Sequence, residues 1–234
     1  MKFNRVAFYT LGCKVNQYET EGLKKQFLDN GFNAVEFEEE SDIYIINSCT
    51  VTSIADKKTR NMLRRAKKSN RNAIVIATGC YAQTNGKELS EIEEIDYVVG
   101  NTDKNAIFKL ISKIEKEESL PKLILKNIFD EDIYEEMEFS TLREMSRAYI
   151  KIQDGCNNFC SYCKIPFARG KSRSRKPENI IDEVRELAKD GFKEIILIGI
   201  NLGAYGEDLE TEIFLEDILE KCATIDGIQR IRLG

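Results

Sequence analysis

The sequence predicts an α/β protein: a small doubly wound parallel-sheet domain followed by the opening strands of an incomplete βα barrel. Three observations predict it. Through the first half, short β-branched runs alternate with amphipathic stretches, the rhythm of βα units around a parallel sheet. That rhythm breaks at an acidic stretch with scattered aromatics and resumes from Arg147. At 234 residues, 42% apolar and 32% charged, the chain is globular in composition and long enough for one large domain or two ordinary ones.

The first domain is expected over residues 1–116. Its strands fall near 6–11, 43–47, 73–78 and 97–99, with a weaker one near 33–37, and its helices near 17–29, 52–68 and 104–117. Residues 117–141 read as an acidic linker, with one strand near 122–128, because IEKEESLPK carries a charge run and one of only three prolines. Residues 142–234 read as the start of the second domain. Its strands are expected near 148–153, 194–198 and 229–233, and its helices near 177–189 and 213–221. Pro177 suits a first helical turn, where a missing N–H costs nothing. A closed eight-stranded barrel needs about 200 residues or more, so a sequence that stops at RIRLG reads as a truncated barrel.

Composition removes whole classes of chemistry. With no histidine, neither Ser-His-Asp nor Cys-His nucleophiles nor any imidazole-ligated metal site can form. No apolar run approaches the ~18 residues of a membrane span, and MKFNRVAFYTLGCK turns polar too soon for a secretory signal. The reading is a cytoplasmic protein without a membrane. Seven cysteines in such a chain point to metal or redox chemistry rather than a disulfide framework.

The strongest motif is GCNNFCSYCKIPFARG, where Cys156, Cys160 and Cys163 are spaced C-x3-C-x2-C directly after an expected strand. Three thiolates on one loop can hold three corners of an iron–sulfur cubane and leave the fourth iron open to a small molecule. The alternative is a structural zinc completed by Cys222. Such sites pair two C-x2-C-like knuckles, whereas Cys222 stands alone on an expected helix and reads as a buried apolar residue.

Cys13, Cys49 and Cys80, in TLGCKVNQYE, INSCTVTS and ATGCYAQ, also follow expected strands. Parallel strands end on one sheet edge, where ligands bind. In a flavodoxin-like order 2-1-3-4-5 these three strands are neighbours about 4.8 Å apart, so three thiolates can share a second site. Three unrelated buried thiols are the competing account.

The C-x3-C-x2-C loop resembles that of the radical S-adenosylmethionine enzymes, and QDGCNNFCSYCKIPFARGKSRSR with ILIGINLGAYG resembles their methylthiotransferase branch across the whole chain. The LGAYG variant most resembles the enzymes acting on N6-threonylcarbamoyladenosine next to the tRNA anticodon. Lys164, where an aliphatic residue is commoner, departs from the pattern without touching the ligands. The resemblance implies a radical SAM partial barrel and two [4Fe-4S] clusters, the auxiliary one on Cys13, Cys49 and Cys80 and the other on Cys156, Cys160 and Cys163. It also implies S-adenosylmethionine chelated at the open iron. Phe159 and Tyr162 then pack against its adenine or shield the cluster, and Gly199 and Asn201 mark the methionine-contacting segment unless they form an ordinary glycine-rich turn. No further catalytic residue is assigned.

The implied reaction places a methylthio group at C2 of the modified adenine in the tRNA anticodon loop, with a sulfur donor and an electron donor such as a flavodoxin as partners. The family's RNA-binding domain would follow the barrel, so this length is expected to bind tRNA weakly and turn over poorly. Net charge is −5, but residues 164–176 hold six Lys or Arg and no acid, a candidate phosphate footprint. The basic run 57–71 reads as a solvated helix face. Rival readings keep the chemistry on N6-isopentenyladenosine or a ribosomal-protein aspartate, or make the chain a non-catalytic iron–sulfur carrier or redox sensor. A flavin domain is a further alternative, on the loose phosphate-loop likeness of residues 10–16.

Overall fold

The computed structural model describes residues 3–102, 104–137 and 147–234. In the first part, β1 (Arg5–Thr10), α1 (Lys14–Asp29), β2 (Asn33–Val35), β3 (Ile43–Ser48), α2 (Ser53–Ser69), β4 (Ile74–Gly79), α3 (Cys80–Ser90), β5 (Tyr97–Val99), α4 (Ala106–Glu115) and β6 (Leu123–Ile124) follow in order. The strands form one parallel sheet in the order β2-β1-β3-β4-β5-β6. The expected five-strand order is present, extended by β6.

Both faces of this sheet are covered, which is why its central strands read as continuous apolar runs. All six residues of β3 are buried. Tyr44 and Ile46 pack with Leu63, Val75, Tyr81 and Leu89 on one face; Ile43 and Ile45 pack with Leu23, Phe27, Ile76, Ile107 and Ile111 on the other. Each such side chain contributes about 1.5–3 kcal/mol on burial.

The second part runs β7 (Arg147–Lys151), β8 (Gln153–Asp154), α5 (Ile165–Arg169), β9 (Arg173–Ser174), α6 (Pro177–Lys189), β10 (Glu194–Ile198), α7 (Leu215–Ala223) and β11 (Arg230–Leu233). Parallel strands lie in the order β11-β10-β7, and β8 pairs antiparallel with β9. Ile150, Ile180, Val184, Leu187, Ile195, Leu197 and Ile218 form the core between this sheet and its helices. Cys222 is buried in that core, and burial pushes its thiol up to about 11. Val15 and Tyr18 of α1 pack on Ile196 and Ile198 of β10, joining the two parts.

Three features depart from expectation. The strand expected over 148–153 stops at Lys151, and Gln153 and Asp154 turn to meet β9. Helix α3 was not expected, because CYAQTNGKELS offers few apolar positions and Asn85 leaves helical angles. Residues 117–137 do not hang between the parts: β6 extends the sheet, Met137 enters the first core, and the Tyr134 hydroxyl donates to the Lys151 carbonyl at 2.8 Å. Residues 138–141 of the expected linker lie outside the described residues. Among the described residues no helix is long and apolar enough to cross a membrane.

Candidate functional site

The N-terminal thiols sit where the sheet predicts. Asn47 of β3 is in register with Thr10 of β1 and Thr78 of β4, and Ser48 with Gly79, so Cys49 and Cys80 leave adjacent strands side by side. Cys13 is the N-cap of α1, three residues beyond β1. Gly79 makes the turn into Cys80: its φ is +95°, and a Cβ there would collide with both Asn47 Oδ1 and the Ser48 carbonyl. Burial pushes the Cys49 thiol up, and the charges of Cys80 and Cys13 push it further. The three sulfurs therefore share one electrostatic neighbourhood.

Amides buttress these sulfurs. The Cys13 thiol donates to Asn16 Oδ1 at 3.3 Å, and Asn101 Nδ2 donates to Cys80 Sγ at 3.6 Å. Asn16 Nδ2 in turn donates to Asn47 Oδ1 at 3.1 Å and the Ser48 carbonyl at 3.2 Å.

The second cysteine loop leaves β8 through Gly155, whose φ is +72° and whose Cβ, had it one, would run into the Lys171 carbonyl. The Cys156 N–H donates to the Gly170 carbonyl at 3.1 Å, and Cys163 N–H to the Cys160 carbonyl at 2.9 Å, folding the loop on itself. Buried Gln153 pins it to the end of β10. Its Nε2 donates to the Gly155 carbonyl at 2.8 Å, while its Oε1 accepts from the N–H groups of Ile200 at 2.9 Å and Asn201 at 2.8 Å. Gly199 lies against the same side chain: a Cβ at position 199 would stand 3.0 Å from Gln153 Oε1.

The two expected aromatic contacts separate. Phe159, in the left-handed region at φ +46°, stacks on Phe129 at 6.0 Å and meets Phe167 edge-on. A non-glycine residue there stores backbone strain, a recurrent feature of functional loops. Tyr162 is 91% exposed.

All seven cysteines are free thiols, and among the described residues no three Cys, Asp or Glu side chains close into a site for one metal ion. A cubane is larger than a single ion, so thiolates that cap it stand farther apart than ligands around one metal. Two sets of three thiols, each shaped by a glycine turn, fit that larger group by donor chemistry.

Between the two cysteine sites lies a buried ionic junction that sequence reasoning missed. Glu19, 1% exposed, accepts from Lys104 Nζ at 2.5 Å, Lys151 Nζ at 2.9 Å and Arg169 Nη1 at 2.9 Å. Asp154 accepts from Arg169 Nη1 at 2.9 Å and pairs with Lys151 at 2.6 Å. Burial alone would raise Glu19, but Arg169, Lys104 and Lys151 hold it well below the usual carboxylate range. One signal was available: Glu19 shares its helical register with buried Val15 and Leu23, a carboxylate on a core-facing stripe.

The junction also corrects the charge reading. Of the six basic residues in 164–176, Arg169, Arg173 and Arg175 are buried, and only Lys164, Lys171 and Lys176 are at the surface. Arg175 pairs with buried Glu183. In the 57–71 run, Arg60, Arg64, Arg65 and Lys67 pair with surface acids, as a solvated face would.

Residues 5–100 match the family described as uncharacterized protein family UPF0004, and residues 150–233 match the radical SAM superfamily. Over 98% of its length the chain is 43% identical to threonylcarbamoyladenosine tRNA methylthiotransferase MtaB of Bacillus subtilis, covering 51% of that protein. The chain carries a region matching UPF0004 followed by a radical SAM region, and over nearly its whole length it is similar to a tRNA methylthiotransferase. The MtaB protein of Aquifex aeolicus is likewise 43% identical over 98% of this chain and 55% of its own length. A tRNA-2-methylthio-N6-dimethylallyladenosine synthase of Clostridium botulinum is 36% identical over 95% of this chain and 50% of its own length.

The chain thus spans about half the length of the curated relatives it matches. Among solved structures, a radical S-adenosylmethionine methyltransferase, TsrM, from Kitasatospora setae superposes with a TM-score of 0.63 over 93% of this chain and 50% of its own, at 15% identity. That likeness concerns the fold. In this chain, Cys13, Cys49 and Cys80 fall in the first matched region, and Cys156, Cys160 and Cys163 in the second.

Proposed function

We propose that the chain forms the two-cluster part of a tRNA methylthiotransferase acting at C2 of N6-threonylcarbamoyladenosine beside the anticodon. Residues 1–116 carry the auxiliary site, 117–141 join the parts, and 142–234 begin the radical SAM domain. The observation that carries the reading is the pairing of two cysteine triads in one chain, one at a parallel-sheet edge and one on a loop, across a shared buried junction. Relatives that match both parts bear the printed name of that activity.

Cys156, Cys160 and Cys163 would hold one [4Fe-4S] cluster and Cys13, Cys49 and Cys80 the second. When bound, the first cluster with S-adenosylmethionine supplies a one-electron route to a carbon radical, and the second supplies sulfur. The chain's own residues orient and exclude. Gln153 fixes the Gly199–Asn201 backbone beside the cysteine loop, which supports Gly199 and Asn201 as cofactor contacts. Phe159 and Tyr162 rim the same loop and offer apolar surface to an adenine ring. An unpaired anticodon-loop base can be splayed into such a site without melting a duplex. An electron donor such as a flavodoxin and a sulfur donor complete the partners, in the cytoplasm.

Mass analysis of tRNA nucleosides tests this directly. A strain lacking the gene should lose the 2-methylthio form of N6-threonylcarbamoyladenosine and accumulate its unthiolated parent. Loss of 2-methylthio-N6-isopentenyladenosine instead would move the substrate, and an unchanged profile would remove the activity.

A further inference from the structure

We propose that Arg169 is a positioning residue for the N-terminal site: its guanidinium reaches from the second cysteine loop and donates from Nε to the sulfur group held beside Cys80. The inference rests on the reading of that site as a cluster. Helix α5 begins two residues after Cys163 and ends at Arg169. Its far end meets the amides that buttress the N-terminal sulfurs. Asn101 Nδ2, which donates to Cys80 Sγ at 3.6 Å, also donates to the Ala168 carbonyl at 2.6 Å. Asn16 Oδ1, which accepts from the Cys13 thiol at 3.3 Å, also accepts from Arg169 Nη2 at 3.0 Å. Residues 168 and 169 are therefore one side chain away from both Cys13 and Cys80.

The guanidinium itself is nearly saturated. Nη1 donates to Glu19 and Asp154, each at 2.9 Å, and Nη2 to Asn16 at 3.0 Å. Yet Arg169 Nε is fully buried with no partner, on a side chain 1% exposed. Buried N–H groups are almost always met, so this one marks a partner that the described protein atoms do not supply.

Charge points the same way. Among the described residues, Arg169, Lys104 and Lys151 pair with Glu19 and Asp154, three cations against two carboxylates. Arg173, 4.0 Å from Asp154, and Glu135, which feels Lys104 and Lys151, add one group of each sign, so the surplus among the described residues stays at one positive charge. Buried charge seeks a counter-charge, and a thiolate-ligated cluster is anionic. A donor aimed at its sulfur, with positive charge behind it, raises its reduction potential.

The test uses a full chain with Cys156, Cys160 and Cys163 changed to Ala, so that only the N-terminal site can load. After anaerobic reconstitution, about four irons per chain are expected. Arg169→Lys, which keeps the charge and removes the Nε donor, should keep that iron and titrate at a more negative midpoint potential by electron paramagnetic resonance. Pulsed resonance on the reduced parent, grown with arginine labelled with nitrogen-15 in its guanidinium only, should show a nitrogen coupling to the cluster. That measurement decides the matter if Arg169→Lys does not fold. A loaded parent without the coupling, or an unchanged potential in a loaded variant, overturns the role of Arg169. A parent that takes up no iron overturns the cluster reading beneath it, and the proposal with it.

Discussion

Glu19 in α1 and Arg169 in α5 stand 150 residues apart in sequence and meet in a buried ion pair at 2.9 Å. The pair clamps the sheet domain to the loop that carries the second cysteine triad. Glu19→Gln leaves Arg169 and Lys151 with Asp154 and takes from Lys104 its ion pair with Glu19, and breaking a buried pair in this way costs about 3–5 kcal/mol. Urea denaturation of the two proteins measures the difference.

The same carboxylate sets an acid limit. Its folded-state pKa is depressed by Arg169, Lys104 and Lys151 against the opposing effect of burial. Its contribution is therefore fully present above the unfolded value of about 4.3 and disappears as pH falls through the lower folded value. Wild-type stability should decline below about pH 4, and Glu19→Gln should show a shallower decline in the same window.

Gly79→Ala should disable the N-terminal site. A left-handed φ costs a non-glycine residue about 1–3 kcal/mol, and the added Cβ would collide with the Ser48 backbone. Thermal melting should fall, and iron uptake should drop by the share that belongs to Cys13, Cys49 and Cys80, with the second loop still loading.

Gln153→Leu removes the acceptor for the Ile200 and Asn201 N–H groups. Each group left unpaired costs about 1–3 kcal/mol, and the Gly199–Asn201 segment loses its hold on the cysteine loop. Equilibrium dialysis of the reconstituted protein should show S-adenosylmethionine affinity reduced by about tenfold, or ~1.4 kcal/mol. Unchanged affinity would detach this segment from the cofactor.

Phe159 and Tyr162 give a cleaner contrast. Tyr162 is so exposed that Tyr162→Ala should leave stability within about 0.5 kcal/mol, so any loss of cofactor or tRNA binding belongs to function. Phe159→Ala also breaks the contacts with Phe129 and Phe167, worth about 0.5–1.5 kcal/mol per aromatic pair. Parallel melting and binding measurements separate the two residues.

The fold was legible where burial imposes a period. Strands β3, β5 and β10 and helix α6 lie at or within a residue of their expected bounds, because Ile43–Ser48 and Ile195–Ile198 are buried runs and Pro177 marks a helix start. Short elements made by tertiary contact were not legible. Helix α5 has five residues, and β8 and β9 have two each, too few to carry a pattern. Cys156, Cys160 and Cys163 were legible because their spacing is local, and Cys13, Cys49 and Cys80 because each follows a strand of one parallel sheet. The junction was not, because Glu19, Lys104, the Lys151–Asp154 pair and Arg169 come from four separate stretches of chain and look like ordinary surface charge until the chain folds. Arg169, Arg173 and Arg175 misled for the same reason: a basic run suggests a solvent-facing patch, yet these three turn inward.

In the proposed function the two cysteine triads each hold a separate iron–sulfur cluster. Counting iron on anaerobically reconstituted protein tests it most directly. About eight irons per chain are expected, falling to about four in Cys160→Ala and to about four in Cys49→Ala. A single zinc per chain, or a count that neither substitution changes, would contradict it.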